Sequence, residues 1–272
     1  MKMNDPLPVV TQEELIRGFH DLGVGLDLCL MVHSSLRSLG YVVNGPYDVI
    51  DAILHCIGDG GTLVVPTHTS QLTEPGKWID PSIRKEDLDK LRTNSRLFDK
   101  NYTLPRNRGI ISTALLTYPG VCRSIHPLNS VAGLGPHAKQ ITSKHPLHAP
   151  EGIESPVGKL YLMEGSILLI GVTLTSCSVI HLAEYLVDAP YLKDNAVEVL
   201  AENKDGKKSY IRLKRYPSSS EHFDKLIPEL KLSGILKEAI VGASKLLFME
   251  IKPMIELVLH NLDVNPKYLL EP

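Results

Sequence analysis

Tryptophan occurs once in these 272 residues and cysteine four times. No apolar run approaches the ~20 residues that a bilayer span requires. Residues 166–172 form one of the longer apolar runs and read as a buried strand, so a membrane protein is excluded. Cys29, Cys56, Cys122 and Cys177 lie far apart without paired spacing, which fits reduced thiols and no disulfides. There is no basic excess: the formal net charge is -2, so the phosphate-tracking surface of a nucleic-acid binder is not expected. Residues 1–10 contain Asp5, Pro6 and Pro8 and lack the unbroken apolar core of a secretory signal, which reads as a cytoplasmic protein. The sequence has no G-x-S-x-G elbow, no Walker lysine and no G-x-G-x-x-G fingerprint. A serine hydrolase, a nucleotide triphosphatase and a dinucleotide enzyme all lose support.

What is present is an alternation of helical and strand patterns. Leu15, Ile16, Phe19 and Leu22 recur at helical spacing behind Thr11, with Glu14 placed to complete a capping box. Residues 28–32 read as a buried strand, 47–57 as an amphipathic helix stopped by glycines, and 62–66 as a second buried strand. Helices are expected again at 110–116 and 178–186, with a buried strand at 167–172. A hairpin is expected over 197–200 and 210–213 around Asp205-Gly206, and a helical tail over 232–262 with Pro253 forcing a break or a new first turn. The order predicts an α/β fold on a largely parallel sheet, a single domain over 1–272. Residues 70–109, rich in Pro, Lys, Arg, Asp and Asn and holding Trp78, read as a long, mostly irregular excursion, a feature that is more often functional than not.

Three segments could carry chemistry. His33-Ser34-Ser35-Leu36 sits where a strand gives way to a helix, where free N–H groups and two hydroxyls suit phosphate oxygens; the same serines serve equally well as helix caps. From Arg106 to Ala138, arginines, glycines and hydroxyls interleave, a composition suited to an anionic ligand. His181 and Glu184 are three apart on a helix and share a face, a base with a carboxylate to orient it, although a half-buried structural histidine fits the same pattern. Cys122, His126, His137, His145 and His148 could suggest a metal, but no C-x-x-C or H-E-x-x-H spacing occurs and prolines make most of the segment a loop, so none is expected.

Taken together, His33-Ser34-Ser35-Leu36, the run from Gly61 to Thr67, Arg123-Ser124-Ile125-His126-Pro127 with Ser130, Ser155-Pro156 and His181-Leu182-Ala183-Glu184 resemble the aminoglycoside 3-N-acetyltransferase family. The likeness extends through Trp78, Leu97-Phe98-Asp99 and Val241-Gly242-Ala243. The resemblance implies an α/β sandwich of the antibiotic acetyltransferase type, distinct from the common N-acetyltransferase superfamily. It also implies acetyl-coenzyme A as cosubstrate, a small cationic acceptor, antibiotic resistance as the consequence, and room for a homodimer. By position, His33, Ser34, Ser35, Leu36, Arg37, Thr67, Arg108, Gly109, Ser112 and Ser130 would contact the coenzyme. His181 would be the base, Glu184 would hold the histidine or the substrate, and Ser178 or a backbone N–H would face the oxyanion. Arg108 stands where the family usually has methionine, Thr113 where glutamate is common and Ser178 where threonine is usual. The carboxylates Glu151, Glu154, Glu184 and Asp188 are the expected source of affinity for a cation. Acetyl transfer to another amine, or ligand binding without catalysis, would use the same features.

Overall fold

In the computed structural model, residues 6–78 and 81–272 are described. The amino-terminal reading therefore rests partly on residues 1–5, and the excursion partly on 79 and 80, all of which lie outside the described residues. The core is a seven-stranded sheet. In chain order its strands are β1 (Cys29–Ser34), β2 (Thr62–Pro66), β3 (Cys122–Arg123), β4 (Val131–Leu134), β5 (Ser166–Ile170), β6 (Lys237–Val241) and β7 (Ser244–Glu250). Across the sheet they run β6-β7-β5-β1-β2-β4-β3. Only the central strands β5, β1 and β2 are mutually parallel, so the sheet is mixed rather than largely parallel.

Successive residues of the central strands point to opposite faces, and both faces are covered. Leu30, Val32, Leu63, Val65, Leu168 and Ile170 pack under helices α1 (Gln12–Leu22), α2 (Pro46–Ile57) and α3 (Gly109–Leu115). Met31, Val64, Ile167 and Leu169 pack on the other side against α4 (Pro156–Leu162), α5 (His181–Leu186) and α6 (Ile251–Val264). This is the expected α/β sandwich. Helix α1 starts as the sequence indicates: Thr11 Oγ1 accepts from the Glu14 N–H at 3.3 Å, and the Thr11 N–H donates to the Glu14 carboxylate at 2.8 Å.

The tail departs from expectation. Residues 237–250, read as helix, form the β6–β7 hairpin, which joins the sheet through β7 against β5. Strand β7 is an almost continuous apolar run buried on both faces, which periodicity cannot tell from a helix. The deciding signal was Gly242, at φ +56°, where an added Cβ would lie 2.2 Å from the Leu39 carbonyl oxygen. Pro253 falls inside the first turn of α6, where a missing N–H costs no helical bond.

The hairpin at Ala196–Glu202 and Lys208–Lys214 forms as expected but outside the main sheet, as a separate two-stranded ribbon. The excursion packs along it: Thr73 bridges to Val199, and the Glu74 N–H donates to the Glu198 carbonyl at 3.1 Å. Within the excursion the backbone makes short 3₁₀ turns and one helix at Leu88–Asn94. A small third cluster, Leu72, Leu128, Val199, Leu200 and Leu213, seals ribbon and excursion to the body. No helix among the described residues is long and apolar enough to cross a membrane.

Candidate active site

Strands β1, β2 and β5 end on the same side of the sheet, the edge where ligands bind in open α/β architectures. Chain leaving each strand builds the site. After β5, Gly171 turns with φ +61° and leads through 3₁₀ turns at Leu174–Ser176 and Ser178–Ile180 into α5. That places Thr175, Ser176, Ser178 and His181 in one cleft with His68 from the end of β2, Arg108 from before α3, Asn129, Glu151, and Tyr216 to Ser218 with Ser220 from the loop after the ribbon.

His181 is buried on one side and stacks against Phe223 with ring centroids 4.9 Å apart. Its Nδ1 lies 2.9 Å from Glu184 Oε2. An ionised carboxylate only accepts, so Nδ1 carries the proton and Nε2 keeps its lone pair for the cleft. Glu184 is fully buried. Burial raises its carboxyl, but the hydrogen bond and charge of His181 and the two hydrogen bonds from Ser218 outweigh this and hold it below the ordinary carboxylate value. Tyr191 Oη donates to Glu184 Oε1 at 3.0 Å, Ser218 Oγ donates to the same oxygen, and the Ser218 N–H donates to Oε2 at 3.3 Å. Ser178 Oγ lines the same cleft, buried and without a hydrogen-bond partner.

Ser34 is the last residue of β1 and Ser35 precedes a four-residue helix without making a side-chain cap bond. Capping is thus not what occupies these two partly exposed hydroxyls. Gly109, at φ +78°, brings the start of α3 onto this segment; a Cβ there would lie 2.9 Å from the Ser34 carbonyl oxygen, so glycine is required by both conformation and space. Leu36 is partly buried beside the serines and Arg37 is exposed. Ser112 is buried and donates to the Arg108 carbonyl at 3.0 Å. His33 is buried with Nε2 unpartnered, and burial, assisted by the nearby Arg108 charge, pushes its pKa down to about 3.

Thr67 and Ser130 sit beneath the cleft as scaffold. Both are fully buried, and their hydroxyls, 3.0 Å apart, surround the Arg123 guanidinium, whose Nε donates to Thr67 Oγ1 at 3.0 Å. They reach a coenzyme only if that network opens. Arg123 also donates to the Thr103 carbonyl at 2.6 Å, tying the excursion to β3. The histidine-rich segment is likewise committed to structure. His126 Nδ1 accepts the N–H groups of Leu128 and Asn129 at 3.1 and 2.8 Å, and both ring nitrogens of His145 are engaged, by Ser124 Oγ and the Pro150 carbonyl.

The four carboxylates do not act as a group. Glu154 pairs with Lys144 and Asp188 with Arg215 at 2.7 Å, while Glu184 is spent on His181 and its neighbours. Glu151 is buried, and its carboxyl is pushed up to about 8 by burial, against the opposing hydrogen bond from Asn129 and the charge of Arg108. Sequence reasoning did not single out His68, Asn129 or Tyr216. Tyr216 donates to Asn129 Oδ1 at 3.1 Å, and Asn129 Nδ2 donates to Glu151 Oε1 at 3.1 Å, a relay assembled from three separate loops.

The family model for aminoglycoside 3-N-acetyltransferase covers residues 31–263. The chain belongs to the aminoglycoside 3-N-acetyltransferase family. Among relatives of this acetyltransferase, the SPbeta prophage-derived aminoglycoside N(3')-acetyltransferase-like protein YokD of Bacillus subtilis is 34% identical over 205 residues, 75% of each chain. Aminoglycoside N(3)-acetyltransferase VII of Streptomyces paromomycinus is 30% identical, over 91% of this chain and 89% of its own. The crystal structure of YokD superposes with a TM-score of 0.84 over 96% of both chains, at 28% identity. A histidine-to-alanine variant of aminoglycoside acetyltransferase AAC(3)-IVa, solved in complex with a gentamicin, superposes with a TM-score of 0.80 at 27% identity, over 100% of this chain and 94% of that one.

Proposed function

We propose that this protein transfers acetyl from acetyl-coenzyme A directly to an amino group, the 3-amino group of the 2-deoxystreptamine ring when the acceptor is an aminoglycoside, with His181 as the general base. The observation that carries this is the His181–Glu184 pair opening into the same cleft as the unpartnered Ser178 hydroxyl.

The hydroxyls of Ser34 and Ser35, which make no side-chain hydrogen bond among the described residues, and the close approach of Gly109 to the Ser34 carbonyl form a strip of small polar groups that fits a pantetheine and phosphate chain. Ser34, Ser35, Leu36, Gly109 and Ser112 would hold it. The coenzyme supplies an acetyl thioester, a carbonyl open to attack by an amine. His181 Nε2 accepts the proton of the acceptor amine as its nitrogen forms the new bond to the acetyl carbon. The carbon–sulfur bond breaks as the carbonyl then reforms, and His181 returns the proton to the departing thiolate. Glu184 keeps Nδ1 protonated and stabilises the imidazolium while it exists. The oxygen that gains charge meets either Ser178 Oγ or a backbone N–H. No covalent bond to the enzyme is needed.

The test is thiol release from acetyl-CoA with a panel of 2-deoxystreptamine antibiotics, gentamicin included. Release with the panel establishes the aminoglycoside reading. Coenzyme binding without release from any member sinks it. A second reading, the same transfer to another amine, is favoured by the placement of Glu151, Glu154, Glu184 and Asp188, none of which offers the cleft a free negative charge.

A further inference from the structure

The cleft contains one charged group that the reaction does not use. Arg108 lines the same cavity as His181. Its Nε is buried without a hydrogen-bond partner, and no ion pair to its guanidinium exists among the described residues. A guanidinium has five donors in a fixed fork and cannot shed its charge, so a site that buries one unpaired is incomplete without an acceptor oxygen.

Glu151 and Tyr216 lie near enough to favour the Arg108 charge, but neither forms a hydrogen bond or ion pair with its guanidinium among the described residues. His68 shares the cavity, with Nε2 buried and unpartnered, and is held neutral by burial with help from the Arg108 charge. His33, also buried with Nε2 unpartnered, is neutral for the same reasons. Asn129 and Tyr216 are occupied with each other, and Asn129 also serves Glu151. Burial pushes the Glu151 carboxyl up to about 8 against the opposing charge of Arg108, it makes no ion pair with Arg108 among the described residues, and Glu184 is already the counter-charge of His181. Arg108 therefore brings to the cleft a guanidinium with no ion-paired carboxylate among the described residues. An aminoglycoside would have to turn a hydroxyl rather than an ammonium toward Arg108, because like charges brought together in a partly buried cleft are disfavoured.

We propose that Arg108 selects the acceptor by charge: the cleft takes an amine whose scaffold also carries an anionic oxygen group, carboxylate or phosphate, placed against Arg108. This rests on the reading of the cleft as the acceptor site for acetyl transfer. The guanidinium fork suits both anions, and His68 Nε2 stands ready to hydrogen-bond the same group.

Amino sugars of one ring size separate the terms: glucosamine, its 6-phosphate and its 6-carboxylate (glucosaminuronic acid), set beside gentamicin. Binding is read by calorimetry and transfer by thiol release, for the wild type, R108M and R108K. The anionic sugars should bind the wild type and R108K at least ~10-fold more tightly than glucosamine, as a desolvated charge pair allows. In R108M that preference should vanish, and gentamicin should bind ~10-fold more tightly once the like charge is gone. A difference between the phosphate and carboxylate arms identifies the anion. Because calorimetry does not need turnover, an absence of thiol release counts against the transfer reading alone. Equal affinities for charged and uncharged sugars in the wild type overturn the proposal. So does an R108M protein that loses its melting shift with coenzyme A while its acceptor preference is unchanged, since Arg108 would then belong to the coenzyme.

Discussion

The imidazole Nδ1 of His181 stands 2.9 Å from Oε2 of Glu184, while the second oxygen of the same carboxylate accepts the Tyr191 hydroxyl at 3.0 Å. The carboxylate is thus fixed from both sides, and the ring it orients has no freedom to turn away from the cleft. In a site that must recruit a base for each turnover, this rigidity replaces the search for the right tautomer.

If His181 is the base proposed above, replacing it removes chemistry without removing the fold. His181→Ala should retain the melting shift with coenzyme A and lose ~10²–10⁴-fold in turnover. Glu184→Gln should cost less, since it keeps the shape of the carboxylate. Near-normal turnover in folded His181→Ala refutes the assignment.

The unpartnered Ser178 hydroxyl gives a clean separation of stability from activity. A buried hydroxyl without a partner costs stability, so Ser178→Ala should melt at the same temperature as wild type or above it. If the hydroxyl faces the developing oxyanion, kcat should fall ~10²–10³-fold with little change in the KM for acetyl-CoA. An unchanged kcat assigns that task to the backbone.

Glu151 makes stability depend on pH in a defined direction. Its folded carboxyl is raised from the usual 4.5 to about 8, so the native state holds a proton that the unfolded chain has released. The contribution is complete below 4.5 and is lost as pH rises toward 8, by about 1.4 kcal/mol per pH unit. Glu151→Gln stays neutral and should remove this slope. Melting temperatures of variant and wild type, measured from pH 5 to pH 9, should diverge as pH rises; parallel curves would show that Glu151 is ionised in the fold.

Arg123 is buried among Thr67, Ser130 and the carbonyl oxygens of Thr67 and Thr103. Arg123→Met leaves those acceptors unpaired and should destabilise the protein by about 2–4 kcal/mol. It should also release the excursion, and limited proteolysis between residues 81 and 105 reads this directly. Cleavage no faster than in wild type would mean that the ribbon alone holds the excursion.

Much of the site was legible because its signals are local. The Thr11 capping box and the i, i+3 relation of His181 and Glu184 depend on a few consecutive residues, and helical geometry alone brings them together. The approach of Ser34 to Gly109 and the gathering of Arg108, Asn129, Glu151 and Tyr216 depend on where distant loops meet, which no spacing encodes. The same limit explains Thr67 and Ser130, whose hydroxyls look available in sequence but are claimed by an arginine from another strand. The β6–β7 hairpin was missed for a different reason: β7, buried on both faces, has no alternation to read, and β6 beside it is an exposed edge strand with only Val241 buried.

Strand β1 lies at the centre of the sheet between β2 and β5, and β5 begins only at Ser166. On a ribosome, the apolar row from Cys29 to Ser34 must therefore wait with one edge open while more than a hundred further residues are made. His181, the proposed base, emerges just after the strand that closes that edge. Synthesis thus delivers the means of completing the sheet and the means of doing chemistry almost together, and a nascent chain halted before Ser166 should be both inactive and a client for chaperones that shield unpaired strands.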